Sequence, residues 1–342
     1  MSARGSADTR HRARRALRRW ALPVWALARR CRPARGTWLI FAGHEVGSEL
    51  PHLPDSMRIS VAALERRVRW ALARGRVVTV REGLSLHARE EERRPLISFS
   101  FDDAYRGIAT EAAPLLRRLG VRATLFVHTG TWTGEWLPWT DLYFALERAL
   151  GAVPLARALA AELEPREALL AAAERSSYEL KSVLHRGCDE ERRDGALRAL
   201  HERELGGAAG LARSIYLQPD ELCAVEDVFE IASHGVRHRR HARLDAGAQR
   251  AEIQGARASL EGALGHPVEG FAYPFGRSAD LPEADGALLL HSGHAYACTM
   301  IEGVNRRGSD PYRLRRWPLE ELASESELSA LVRGGLPRWL RR

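Results

Sequence analysis

The sequence has few cysteines and no long apolar run, and both absences narrow the classes of protein that fit it. Its 342 residues contain four cysteines, with no Cys-x-x-Cys spacing and no close pair: Cys31, Cys188, Cys223 and Cys298. This usage fits a reducing compartment and gives no sign of a disulfide framework. No stretch approaches the roughly 20 apolar residues that span a bilayer. The apolar window 20–28 is short, contains Pro23 and has arginine on both sides, which argues against a cleavable signal peptide.

Positive charge is concentrated at the amino terminus. Residues 1–36 hold eleven arginines and one acidic residue, Asp8, which gives this segment a charge of +10. The whole chain has a net charge of +8, so the other 306 residues sum to −2. A near-neutral body gives no reason to expect nucleic-acid binding, whereas a basic arm predicts an electrostatic tether. With Trp20, Trp25 and Leu27, segment 10–35 is typical of an interfacial segment on an anionic membrane, and a disordered Arg-rich leader is the open alternative. We therefore expect a cytoplasmic protein, with peripheral contact to the inner membrane face under the first alternative.

Strand-like and helix-like patterns alternate along most of the chain. This alternation argues for parallel strands with helices packed outside them, in one large domain with additions. Predicted strands lie at 37–42, 76–80, 96–101, 123–127, 228–232, 268–272, 294–299 and 312–315, and predicted helices at 61–74, 110–119, 245–264, 282–290 and 319–331.

A stretch rich in Ala, Leu, Glu and Arg interrupts the alternation at about 131–219. It is too long for a simple connection and too rich in helix formers for a bare loop, so we predict a helical insertion. The predicted organisation is therefore a basic leader at 1–36, a barrel at 37–320 that contains this insertion, and a C-terminal helix with a basic tail at 321–342.

Two pairs of metal-ligating side chains follow predicted strands. Asp102 and Asp103 end the run Leu-Ile-Ser-Phe-Ser-Phe, and their mutual repulsion is relieved either by a cation or by capping of the next helix. Capping alone is the commoner explanation of such a pair. A second strand ends at Ile-Ala-Ser-His-Gly-Val-Arg-His, which offers His234 and His238. One carboxylate with two imidazoles suits zinc and leaves coordination positions open, which favours a catalytic metal.

Other polar residues share this placement. His44, His128 and the Tyr-Pro-Phe-Gly segment at 273–276 also follow predicted strands. Each histidine alone would more often be an incidental loop residue. In a barrel of parallel strands, however, the carboxyl ends form one rim, and active sites are built on that rim.

Three motifs in order resemble those of a known family. Ser-Phe-Asp-Asp-Ala-Tyr at 100–105, Ser-His-Gly-Val-Arg-His at 233–238 and Phe-Ala-Tyr-Pro-Phe-Gly at 271–276 are similar to the successive motifs of polysaccharide deacetylases of the NodB-homology type, also called carbohydrate esterase family 4. His-Glu-Val from position 44 and Met-Arg-Ile-Ser from position 57 resemble the subgroup found in exopolysaccharide and surface-glycan clusters. The resemblance covers about residues 38 to 320, only loosely within the insertion.

The resemblance implies a fold, an activity and a set of site residues. The fold is an α/β, distorted (β/α) barrel of about seven to eight parallel strands with a helical insertion. One divalent ion, usually zinc, would be bound by three ligands: Asp103, His234 and His238. Asp102 would be the general base toward water, and the backbone N–H of Phe275 would help to hold the oxyanion. The implied activity is removal of an N-acetyl or other N-acyl group from an amino sugar of a surface polysaccharide or its lipid-linked precursor.

The sequence departs from the family pattern at two places. Relatives often carry an arginine that orients the base at the position of Ala272, and many have a late histidine as general acid, whereas none follows His294 here. The leaving amine needs a proton, and we predict that His44 supplies it, since it follows the first strand; a hydrogen-bonded turn residue is the alternative. His128 lies on the same predicted rim, beside the insertion, whereas His291 and His294 are expected at the opposite end.

Three classes of function stay open at this point. The first is the metal-dependent hydrolase, and the second is a catalytically weak or inactive member of the fold that binds glycans. The third is a structural protein that docks to a membrane assembly through its insertion and leader. An intact Asp102 favours the enzyme, because a metal binder needs Asp103 and has no use for a second carboxylate.

Overall fold

The computed structural model describes residues 36–47, 50, 52–89, 94–208, 210–282 and 285–319. The predicted leader, except for Gly36, and the predicted C-terminal helix and tail from residue 320 onward lie outside the described residues. The described chain forms two compact units. One draws on residues 36–47, 55–132 and 215–319, and the other on 50–54 and 133–214.

The first unit is built on a curled sheet of parallel strands. Its strands are β1 Trp38–Gly43, β4 Arg76–Val77, β5 Leu96–Phe101, β6 Ala123–Val127, β7 Phe229–Ser233, β8 Gly270–Ala272, β9 Tyr296–Cys298 and β10 Trp317–Pro318; a separate parallel pair joins β2 Glu45–Val46 to β3 Arg58–Ile59. The order is β10-β1-β5-β6-β7-β8-β9, with β4 added beside β5, and every pairing is parallel. The predicted distorted (β/α) barrel is confirmed.

Helices cover this sheet and form the second unit. Their bounds are α1 Val61–Leu72, α2 Val80–Ala88, α3 Ala113–Leu119, α4 Trp139–Leu150, α5 Ala152–Leu159, α6 Arg166–Arg175, α7 Ser177–Arg186, α8 Glu190–Leu205, α9 Leu211–Ile215, α10 Pro219–Cys223, α11 Ala246–Leu264 and α12 Asp285–His291. Among the described residues, no helix is both long enough and apolar enough to cross a membrane.

The two longest strands, β1 and β5, are buried along their whole length. All six residues of β1 and all six of β5 are buried, as expected of parallel strands covered on both faces. One face of β5 contributes Phe99 to a core that includes Leu64 and Val68 of α1. As predicted, Ser60 caps this helix by accepting a hydrogen bond from the Ala63 N–H at 3.3 Å.

The strand predicted at 76–80 is shorter than expected. It ends at Val77, because Thr79 begins α2 through a capping box. The Thr79 hydroxyl accepts from the Glu82 N–H at 3.2 Å, and the Glu82 carboxylate accepts from the Thr79 N–H at 3.1 Å. The helix over residues 80–88 was not predicted from the sequence.

The strand predicted at 312–315 is wrong. A 3-10 turn occupies Pro311–Arg313, with Asp310 accepting a hydrogen bond from the Tyr312 N–H at 2.9 Å. The strand follows later as β10, which pairs with β1. This shift brings Arg316 to the edge of the sheet next to β1.

The second unit is helical and is held by aromatic and ionic contacts. The guanidinium of Arg193 lies 4.2 Å from the centroid of the Trp139 ring, and the ring of His185 stacks with Trp139 at 6.0 Å. His52 contacts the buried Asp141 at 3.3 Å. These contacts bind residues 50–54 and the helices of this unit into one compact body.

Candidate active site

Asp102 and Asp103 lie in a sharp turn directly after β5. Asp103 and Ala104 have φ values of 73° and 62°, in the left-handed region that non-glycine residues rarely adopt. The turn is held by the Leu217 N–H, which donates to the Ala104 carbonyl at 3.0 Å. Neither aspartate caps the next helix: a helical turn at Ile108–Ala112 follows Gly107 and runs into α3, and neither element has a side-chain cap. The capping explanation for the pair is therefore wrong, and a strained backbone of this kind is typical of a functional site.

Asp103, His234 and His238 come together as predicted. The Oδ1 atom of Asp103 lies 3.6 Å from Nε2 of His234 and 3.4 Å from Nε2 of His238. One ligand atom from each residue lies within 4.8 Å of the others. Ligand atoms about 2.0–2.1 Å from a tetrahedral zinc are themselves roughly 3.3 Å apart, so the donor set fits a divalent ion.

The ring of His234 is oriented by the third motif. Its Nδ1 lies 2.8 Å from the carbonyl oxygen of Ala272, an arrangement in which Nδ1–H donates and Nε2 keeps its lone pair for a metal. Burial, opposed by the charge of Asp102, lowers the pKa of His234 to about 4. The imidazole is therefore neutral near pH 7, which is the form that binds metals.

Asp102 is paired with an arginine that the sequence motifs did not reveal. Nη1 of Arg316 lies 2.7 Å from Oδ1 of Asp102, and Nη2 lies 2.8 Å from Oδ2. The Arg316 side chain is fully buried and also donates to the Thr299 carbonyl at 3.0 Å and to the Ser100 hydroxyl at 3.2 Å. Four of the five guanidinium N–H groups thus donate to fixed polar partners.

This pairing decides the charge of Asp102. Burial alone would raise the pKa of its carboxyl group, but the charge of Arg316, followed by those of His234 and His44, lowers it, and the net pKa is below the ordinary value. Asp102 is therefore ionised and has the form that a general base requires.

Ala272 stands where relatives often have an arginine that orients the base, and it cannot contact Asp102 as an arginine would. Its side chain lies in an apolar cluster with Phe126 and Cys298, while its carbonyl holds His234. The arginine that contacts the Asp102 carboxylate is instead Arg316, directly before β10. The sequence offers little sign of this contact, because Arg316 precedes a strand of only two residues, β10, whose pairing with β1 is not evident from the sequence.

The structure brings His44 and Phe275 to the same rim. His44 is half-buried and its charge acts on both Asp102 and His234. Phe275 has a φ of 61°, and its ring centroid lies 4.6 Å from that of His238. Both residues are thus near the ligand set, and their catalytic roles stay predictions.

His128 lies closer to the ligand set than its sequence position alone indicates. It is buried, with Nε2 4.0 Å from Oδ1 of Asp103 and its ring against Tyr216 at 4.8 Å and His238 at 5.9 Å. Burial, together with the charge of His234, lowers the pKa of His128 to about 3. A buried, neutral imidazole is a poor proton donor, so His128 is better suited to packing against the ligands.

His241, His291 and His294 lie outside the ligand set. His294 packs on Phe271 at 5.6 Å, and burial lowers its pKa to about 4; His291 is exposed at the end of α12. His241 was missed from the sequence: it is buried against Phe271 and Tyr273, and burial lowers its pKa to about 3. Neither of its ring nitrogens has a hydrogen-bond partner among the described residues.

Comparisons with known proteins agree with these motifs. Residues 209–286 match the family model described as polysaccharide deacetylase. No curated protein sequence matches the chain. This match confirms the predicted resemblance.

Several solved structures share the fold. The Streptococcus pyogenes deacetylase PplD, in complex with acetate, has 13% identity and a TM-score of 0.57, over 87% of this chain and 99% of that one. IcaB from Ammonifex degensii has 16% identity and a TM-score of 0.54, over 87% and 97%. A de-N-acetylase from Aggregatibacter actinomycetemcomitans has 14% identity and a TM-score of 0.52, over 85% and 98%. At these identities the likeness establishes the fold alone.

Proposed function

We propose that this chain, which resembles the polysaccharide deacetylases in its motifs, its family-model match and its fold, is a metal-dependent hydrolase. It removes an N-acetyl or other N-acyl group from an amino sugar of a surface polysaccharide or its lipid-linked precursor. The observation that carries this proposal is the division between two adjacent aspartates. Asp103 lies among imidazole nitrogens, while Asp102 is held by Arg316.

The ligand set supports the metal dependence. Asp103, His234 and His238 would hold the ion, and their donor atoms have the spacing and chemical type that zinc prefers. When bound, a divalent ion supplies Lewis acidity toward the amide oxygen and lowers the pKa of water.

Asp102 would accept the proton of the attacking water. Each of its oxygens accepts one hydrogen bond from Arg316, and a carboxylate oxygen has a second lone pair that can accept another. The lowered pKa keeps this carboxylate ionised, and the two-point contact fixes its orientation. A fixed, ionised acceptor is what general-base catalysis needs.

Protonation of the departing amine is assigned to His44. Support comes from its place directly after β1 and from the effect of its charge on Asp102 and His234. The backbone N–H of Phe275 is assigned to the oxyanion, since its ring contact with His238 puts this residue beside the ligands.

The alternative of a glycan-binding member without turnover is less well supported. Its motives were Ala272 in place of an arginine that orients the base and the absence of a late histidine. Arg316 supplies a guanidinium to Asp102 from the position before β10, so the first motive is removed.

A panel of substrates tests the proposal. Metal-loaded protein is incubated with N-acetylated and N-formylated amino sugars, free and lipid-linked, and the released acid is measured. We expect acid release that chelation abolishes and that Asp102→Asn lowers strongly. Glycan binding by the wild type without acid release from any substrate would support the binding alternative instead.

A further inference from the structure

A single buried carboxylate holds the loop that carries both imidazole ligands. Glu252 lies in α11, and its Oε2 accepts hydrogen bonds from the backbone N–H groups of Val236 and Arg237, each at 2.9 Å. These two residues lie between His234 and His238 in the chain. Glu252 is 6% exposed, so the two N–H groups are satisfied by this side chain with little help from solvent.

The other side of the same loop is fixed by the end of β6. The His234 N–H donates to the Val127 carbonyl at 2.8 Å, and the Gly130 N–H donates to the Val236 carbonyl at 2.8 Å. The loop is thus held both by Glu252 and by the chain at the end of β6 and just after it.

The loop has little freedom to adjust to a change at Glu252. Gly235 has a φ of 81°, and a Cβ built on it would lie 2.9 Å from the Glu252 carboxylate oxygen. His238 itself has a φ of 49°, a left-handed conformation that persists only when surrounding contacts impose it. Glu252 accepts hydrogen bonds from the segment that joins His238 to His234.

We propose that Glu252 is a positioning residue that sets the spacing of His234 and His238 and thereby the affinity of the site for its metal. This inference rests on the metal site in the proposed function. Substitution of groups that hydrogen-bond to metal ligands and orient them typically lowers metal affinity by about 10–100-fold. Glu252 acts on the backbone between two ligands, so its loss changes the distance between their Nε2 atoms.

The chain offers a matched control on the same helix. Glu261 also lies in α11, and its Oε1 accepts a backbone hydrogen bond from the Val268 N–H at 2.9 Å and one from Arg257 at 2.8 Å. It anchors the segment before β8, which carries none of the three proposed ligands. Removing either glutamate breaks a link between α11 and a loop, but only Glu252 holds the ligand loop.

The test measures metal affinity of the full-length chain, after removal of metal, by competition with a chelator for Zn²⁺. The absorption spectrum of the Co²⁺-loaded protein reports ligand geometry, and thermal unfolding reports stability. We expect Glu252→Ala to weaken Zn²⁺ binding by about tenfold or more and to alter the Co²⁺ spectrum. Glu252→Gln, whose amide oxygen can accept both N–H groups, should stay within a few-fold of wild type. Glu261→Ala should lower stability and leave Zn²⁺ affinity and the Co²⁺ spectrum unchanged.

The outcomes separate this inference from the proposed function. Wild-type protein that binds Zn²⁺ together with a Glu252→Ala variant that binds it equally well would overturn the positioning role alone. A wild type with no Zn²⁺ affinity would overturn the metal site and this inference with it. If Glu252→Ala does not fold, Glu252→Asp, which keeps the charge but shortens the side chain, should show the same loss of affinity, and unchanged affinity there would also overturn the role.

Discussion

Arg316 holds both carboxylate oxygens of Asp102, at 2.7 Å and 2.8 Å, although 214 positions separate the two residues in the chain. Both side chains are buried, so neither charge has water to replace its partner. The pair therefore fixes the charge and the orientation of the carboxylate that we assign as the general base. It also joins the segment before β10 to the end of β5.

The first prediction concerns this pair. Arg316→Lys keeps a positive charge but loses the two-point contact, so we expect metal content near wild type and a turnover lower by about tenfold or more. Asp102 acts only when ionised, above its pKa, and Arg316 lowers that pKa. A weaker partner raises the pKa, so the acid limb of the pH–rate profile should move to higher pH. Arg315→Lys, at the neighbouring position, is the control and should leave the profile in place.

An unchanged acid limb in Arg316→Lys would mean that Asp102 does not titrate as the base. A variant that fails to fold is also informative, since breaking a buried pair costs about 3–5 kcal/mol. In that case the pH–rate profile of Asp102→Glu is measured instead. This variant keeps a carboxylate facing Arg316 and should also show a displaced acid limb.

The second prediction separates the adjacent aspartates. Asp102→Asn should keep metal content near wild type and lower turnover by about two to four orders of magnitude, the usual contribution of a positioned proton acceptor. Asp103→Asn should lose metal affinity as well, because its Oδ1 faces both imidazoles. Metal content is measured by elemental analysis of the purified variants. Equal metal content in the two variants would remove the division of roles.

The barrel and the ligand set could be predicted because each motif places its polar residues directly after a buried strand. Asp103, His234 and His238 follow β5 and β7, and parallel strands bring such ends to one rim. The spacing of residues within a motif depends only on the local chain conformation, so it can be read from the sequence without knowledge of distant contacts.

Arg316 could not be predicted in this way. It is one of 52 Lys and Arg residues, and its role depends on β10, a strand of two residues that pairs with β1. So short a strand has no readable alternation, and the sequence pattern instead indicated a strand at 312–315. His241 was missed for a related reason, because its burial comes from contacts with β8 and the segment after it.

The third prediction concerns the metal itself. We expect about one divalent ion per chain, and most of it should be lost in His234→Ala and in His238→Ala, since each imidazole supplies one of three protein ligands. His291→Ala is the control, because His291 is exposed on α12 and lies outside the ligand set. Stoichiometric metal that survives in the His234→Ala, His238→Ala double variant would exclude this site.

The fourth prediction concerns the basic leader, which lies outside the described residues. We propose that segment 10–35 binds the anionic face of a membrane, so deletion of residues 1–36 should abolish sedimentation with anionic vesicles without changing activity on a small soluble substrate. High salt should reproduce part of this effect, because such attraction is screened within about 8 Å at physiological ionic strength. Neutral vesicles are the control. A truncated chain that still sediments with anionic vesicles would exclude the tether.

The fifth prediction addresses the proton donor for the departing amine. His44 follows β1 at the carboxyl-end rim, and its charge acts on Asp102 and His234, whereas His128 is buried with a pKa lowered to about 3. A general acid must be protonated to act, so activity that depends on it falls as pH rises through its pKa. His44→Gln should therefore keep its fold and its metal, lose about tenfold or more in turnover, and lose the basic limb of the pH–rate profile.

The matched comparison for His44→Gln is His128→Gln, which alters an imidazole on the same rim. If His128 only packs against the ligands, its substitution should weaken metal affinity or stability and leave the basic limb in place, because a group with so low a pKa is already neutral across that pH range. Turnover and pH–rate profiles of the two variants, measured at saturating metal, decide between them. A normal profile in His44→Gln would return His44 to a hydrogen-bonded turn residue and would leave His128 or a water molecule as the donor, with the His128→Gln profile deciding between these two.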